Sequence, residues 1–129
     1  MLRKFVAATF VPCVVIPIAT LILLLAPIRL ERTYLLPLMW CFAPLAWGIW
    51  AIVAPGSWFP HRLPLWGAIL GLAAGSVASF GLDIPSRILG AAVPTFARAV
   101  VVLLIMVFYY LLWMLVRKVY GSLATLPKT

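Results

Sequence analysis

Four long runs without a single charged residue organise this chain, at residues 5–28, 33–53, 65–82 and 99–116. At about 1.5 Å of helical rise per residue, the third and fourth runs give about 27 Å, close to the ~30 Å hydrocarbon core of a bilayer. The first two runs hold 24 and 21 residues and have length to spare for tilting or kinking. The pattern predicts an all-α integral membrane protein whose single transmembrane domain, residues 1–129, is an antiparallel bundle of four transmembrane helices. The third run is short and rich in Gly and Ala, so a three-span topology is the alternative.

What separates the runs supports this division. Arg29-Leu30-Glu31-Arg32 ends the first, and Ala54-Pro55-Gly56-Ser57 with a proline-rich stretch through Pro64 ends the second. Asp83 closes the third, and Arg117-Lys118 closes the fourth. Between the last two runs, Pro85 is followed by Arg87 and Arg98, eleven residues apart and therefore on nearly one side of a helix. Residues 84–97 read either as a short interfacial helix bent at Pro94 or as a membrane-edge loop with snorkelling arginines.

Composition explains why the apolar runs cannot be soluble core. The chain is 67% hydrophobic and 9% charged, whereas a soluble domain carries about 25% charged residues to face water. The net charge of +8 does not point to nucleic acid, because the basic residues lie in short connections and tails, where membrane proteins keep them. Four spans would put Arg3, Lys4, Arg62, Arg117, Lys118 and Lys128 on one face, against Arg29, Arg32, Arg87 and Arg98 with both acids on the other. Six against four predicts both termini in the cytoplasm of a plasma or cytoplasmic membrane. Trp50, Trp58, Phe59, Trp66, Tyr120 and Tyr34 fall at the expected edges, where a ring with one polar part prefers the interface. The N-terminal run resembles a secretory signal, but its length favours a retained anchor.

One motif carries a mechanism. Gly67, Gly71, Gly75 and Ser79 form a four-residue ladder of small side chains along the third run. Such a ladder makes a shallow groove into which a second backbone can approach, and close van der Waals contact supplies much of helix association in lipid. The partner is either another span of this chain or a second protein. Tyr109 and Tyr110 fall near mid-depth, where an unpaired hydroxyl is costly, and depth counting offers Ser76, or any carbonyl freed by a proline, as a partner. Pro12, Pro17, Pro37 and Pro44 read as kinks rather than as an ion site.

Candidate chemistry is sparse. The four charge-free runs hold no Asp, Glu, Lys, Arg or His for a proton-coupled carrier. His61 is the single histidine, and Cys13 and Cys41 match no metal spacing, so no metal, haem or other cofactor is expected. Glu31, Arg32, Asp83 and Arg87 form a candidate outer polar cluster, with salt pairing and orientation as its expected uses rather than acid–base catalysis. No catalytic residue is assigned. The leading expectation is a non-catalytic accessory or assembly subunit of a larger membrane complex. Its partners would be membrane lipids and either other membrane subunits or further copies of the chain. Two alternatives are a small homo-oligomeric transporter or pore, with Glu31, Asp83 and the outer arginines at its mouth, and a lipid- or headgroup-handling protein using the basic 87–98 segment.

Overall fold

A computed structural model describes residues 1–26 and 35–125 of the chain. Among these residues the structure is all-helical. Helix α1 spans Leu2–Leu25, α2 Leu35–Val53, α3 Leu63–Ser76, α4 Ile84–Leu89 and α5 Thr95–Ala124. A 3-10 turn at Gly56–Trp58 lies between α2 and α3, and a π-helical turn at Val77–Gly81 extends α3. Three stretches are long and apolar enough to cross a membrane, Leu2–Ile22, Leu63–Gly81 and Thr95–Ala124, with Trp40–Val53 as a shorter apolar helix in α2.

The expected runs and the observed helices share their centres but not their ends. Helix α1 begins three residues before the run at 5–28, because Arg3 and Lys4 can continue a helix that the charge criterion had cut. Helix α5 extends to both sides of 99–116 for the same reason, taking in Arg98, Arg117 and Lys118. The interfacial helix expected over 84–97 is shorter than its side-chain pattern suggested. Gly90 adopts φ 68°, a left-handed conformation that ends α4, and the chain stays non-helical until Pro94 precedes α5. At the start of α4, Asp83 is itself left-handed at φ 50°. An Asp tolerates that conformation better than most side chains, and it turns the chain sharply out of α3.

Helices α1 and α2 run in opposite directions, as do α3 and α5. Gly48 near the end of α2 sits against Phe5 and Thr9 at the start of α1, and α3 descends along α5 from Gly67 to Gly75. Helix α5 is the centre of the assembly, packed on α3 and α1. Ala7, Ala8 and Val11 of α1, Trp47 and Ala51 of α2, Leu63 of α3, and Trp113 and Val116 of α5 make the buried core. Most of the remaining apolar surface, Phe10, Ile18, Leu21, Phe42, Leu104 and Leu111 among it, points outward. A helix that is apolar on every side belongs in an apolar surrounding.

At one end three segments meet. Lys4 Nζ lies 4.0 Å from the centre of the Phe59 ring, and Phe59 meets Tyr120 edge-on with centroids 5.0 Å apart. The first turn of α1, the 54–62 connection and the last turns of α5 are therefore at the same end.

Candidate functional site

The ladder decides how close α3 and α5 come. Gly67, Gly71, Gly75 and Ser79 are all buried, and the helix that covers them is α5 of the same chain. A Cβ on Gly67 would collide with the Cβ and Cγ of Trp113. On Gly71 it would stand 2.6 Å from the Tyr109 Cβ and 3.1 Å from the Ile105 carbonyl oxygen, and on Gly75 3.4 Å from the Ile105 Cβ. Trp113, 0% exposed, fills the notch made by Gly67, and its other side packs on Trp47 at 5.3 Å between centroids. Trp47 also packs on Tyr109 at 5.2 Å. Ser76 does not partner the tyrosines; its hydroxyl donates to the Leu72 carbonyl at 2.7 Å, satisfied within its own helix.

Helices α2 and α3 are joined differently. The Trp50 indole donates to the Trp66 carbonyl at 2.9 Å, and the Trp66 indole donates to the Trp50 carbonyl at the same distance. The two rings stack with centroids 4.7 Å apart, and Trp58 closes on Trp66 edge-on. Each indole N–H, costly to leave unpaired in an apolar setting, is thus matched to a carbonyl across the helix pair. Beyond this clasp α2 and α3 lean on α1 and α5 rather than on one another.

A cavity lies in the gap so left. Two adjoining spaces, about 410 and 300 Å3, share Ala74 and Tyr109 as lining. The larger has Trp40 of α2 on one side, Ala78 and Ser79 of α3 on the other, Ile105 and Tyr109 of α5 as its floor, and Ile88 of α4 at its end. The smaller continues toward Trp47 and Leu70. Almost every lining group is apolar. Along α5 the larger cavity reaches from Val101 to Tyr109, about 12 Å of helix rise.

A polar bracket stands at the α4 end of this cavity, with Arg98 as its hub. Arg98 Nε donates to the Val93 carbonyl at 2.9 Å, Nη1 to the Ser79 carbonyl at 3.3 Å and Nη2 to Ser86 Oγ at 3.2 Å. The Val93 amide donates to the same Ser86 oxygen at 3.1 Å. Asp83 Oδ1 lies 3.0 Å from Arg98 Nη2, but without the alignment of a hydrogen bond, so this is a charge contact. Arg98 thereby ties α4, the segment before α5 and the π-helical end of α3 to one side chain. The planar guanidinium can do this because it offers donors in several fixed directions.

Of the expected outer cluster, Glu31 and Arg32 lie outside the described residues. Asp83 is engaged by Arg98 rather than by Arg87, which stands one turn into α4 with its side chain exposed. The early end of α4 accounts for the difference, since it swings Arg98 out of the helix shared in sequence with Arg87 and back over Asp83. Trp40 and Trp113 were not singled out by sequence reasoning, and Arg98 was read only as a partner of Arg87 on one helix side. The signal for Arg98 was its place within one helical turn of the fourth run, and Trp113 is spaced on α5 to meet the ladder. Among the described residues no three His, Cys, Asp or Glu side chains gather as a metal site. No protein-family model, curated protein or solved structure matches this chain.

Proposed function

We propose that this chain crosses the bilayer four times, with both termini on the cytoplasmic side, and holds a lipid chain in the cavity between α2 and α3. The observation that carries the reading is the cavity's extent. It is apolar and extends along about 12 Å of α5, comparable with the ~15 Å hydrocarbon depth of a single leaflet. The Trp50–Trp66 clasp closes the other half. A transmembrane helix from a partner would need a groove through the full thickness, whereas an acyl chain needs one leaflet.

Charge at the rim favours the same occupant. Arg87 stands exposed on α4 beside the cavity's end, where a guanidinium can pair with a lipid phosphate. The glycine ladder, which had favoured an accessory subunit, is occupied by α5 of the same chain and lends no support to an external partner. The proposed role is non-catalytic: binding or presenting a membrane lipid.

The test is lipid retention. The protein, purified in a mild detergent, is expected to carry lipid in a fixed ratio by native mass spectrometry. Ala78→Phe, which fills the cavity from α3, is expected to release that lipid while leaving the helix content unchanged. Equal retention by the wild type and Ala78→Phe would overturn the assignment of the cavity.

A further inference from the structure

A separate hollow lies at the end of the molecule away from the Arg98 bracket. It runs between the first turns of α1 and the last turns of α5 and has a volume of about 330 Å3. Val6 and Phe10 line it from α1, and Lys118, Val119, Ser122 and Leu123 from α5. The two α1 residues belong to the charge-free run at 5–28, whereas the four from α5 follow the run at 99–116. The hollow therefore straddles the level at which apolar surface gives way to charge. Four of its lining side chains are apolar. The Ser122 hydroxyl is already satisfied, donating to the Lys118 carbonyl at 3.2 Å. The donor that the hollow offers an occupant is the Lys118 ammonium.

The surroundings say what charge that occupant carries. Lys4 over the Phe59 ring, and Phe59 against Tyr120, bring the start of α1, the 54–62 connection and the end of α5 together. Arg3, Lys4, Arg62, Arg117 and Lys118 consequently share one end of the bundle. The single acidic side chain among the described residues, Asp83, lies beyond the opposite end of α3, beside Arg98. Cations so gathered repel one another, and an anion among them relieves that repulsion. Lysine serves a phosphate as a point charge. A soluble polyanion would set charged groups against the apolar floor, at a cost in desolvation; a glycerophospholipid sets methylenes there. We propose that the α1–α5 hollow docks an anionic glycerophospholipid, its phosphate on the Lys118 ammonium and the upper part of an acyl chain against Val6 and Phe10. The neighbouring cations make the site selective, favouring a headgroup of net negative charge and repelling the choline cation of a zwitterionic one. The site is distinct from the cavity between α2 and α3 and stands whether or not that cavity holds lipid.

The probes are phosphatidylglycerol and phosphatidylcholine with the same acyl chains. They are offered together to the protein in mild detergent, and bound lipid is counted by native mass spectrometry. The wild type is expected to favour phosphatidylglycerol by about fivefold, the worth of one lysine beside anionic lipid. Lys118→Gln is expected to bring that ratio near one. Val6→Trp, which fills the hollow and changes no charge, is expected to do the same. Arg62→Gln, at the same end but outside the hollow, is expected to leave the ratio within about twofold of the wild type. Equal uptake of the two lipids by the wild type overturns the proposal, and this comparison needs no variant to fold. A preference that survives Lys118→Gln or Val6→Trp overturns it, as does an equal fall in Arg62→Gln, since diffuse charge would then suffice. A stable dimer that takes up neither lipid overturns it too, because a second copy would then cover the hollow. The preference is expected to persist in Ala78→Phe; its loss there would move the selective lipid to the α2–α3 cavity and overturn this assignment alone.

Discussion

Gly67→Ala puts a single methyl group against the most tightly packed point of the structure. Its Cβ would fall on the Cβ and Cγ of Trp113, and the Cβ is fixed by the backbone whatever rotamer the ring adopts. Carbon atoms rest about 3.5–4.0 Å apart, so α3 and α5 must part by about 1 Å or more, loosening contacts along the whole ladder. Overpacking of this kind costs about 1–3 kcal/mol, and the rigid backbone on both sides puts this case at the upper end. Alanine is the better helix former by about 1 kcal/mol, which offsets part of the cost. The same change at Gly75 meets only ordinary contact at 3.4 Å, so the helical gain dominates and the variant is expected to be neutral or slightly more stable. Gly71, with its Cβ 2.6 Å from Tyr109, falls between. Titration of sodium dodecyl sulfate into mild-detergent micelles, followed by circular dichroism, reads the order. Gly67→Ala is expected at least about 2 kcal/mol below Gly75→Ala. Adding Trp113→Leu is expected to make the pair less harmful than the sum of its parts. If Gly67→Ala and Gly75→Ala unfold together within about 0.5 kcal/mol, the close approach of α3 to α5 is refuted.

Further expectations follow from the clasp and the bracket. Trp50→Phe removes the indole donor to the Trp66 carbonyl, a loss of about 1 kcal/mol in the same titration. Paired with Trp66→Phe it should show coupling of about 0.5 kcal/mol or more, and strict additivity would mean that the two bonds act independently. Arg98→Lys cannot reach the carbonyls of Val93 and Ser79 and Ser86 Oγ together, so amide hydrogen exchange over residues 90–94 is expected to quicken about tenfold; an unchanged rate would count against the bracket. Asp83→Asn is expected to cost less than about 0.5 kcal/mol, because the Asp83 side chain is 44% exposed and its charge contact is screened. A larger loss, insensitive to salt, would show that the carboxylate is held more tightly than the geometry indicates.

Sequence reasoning reached the features governed by local spacing. Gly67, Gly71, Gly75 and Ser79 share a helix side because four residues is close to one turn, and they are buried together. Spacing says nothing of what covers such a side; the match of Trp113 to Gly67 joins residues on different helices and appears only when the helices are placed. Trp50 and Trp66 were legible as edge residues from their chemistry, yet their reciprocal bonds depend on the turn between them. Ser76 was matched to Tyr109 by depth alone, and the nearer Leu72 carbonyl won. The joint reading of Arg87 and Arg98 as one helical face failed because Gly90 takes a left-handed conformation. A glycine inside an apolar pattern is compatible with continuing the helix or ending it, and its neighbours decide which.

The acceptors of the Trp50–Trp66 pairing are main-chain oxygens, so the fastening between α2 and α3 does not rely on matching side chains along their lengths. A main-chain oxygen stands at positions 50 and 66 whatever residue occupies them, so replacing either tryptophan removes one donor and leaves the other indole its acceptor.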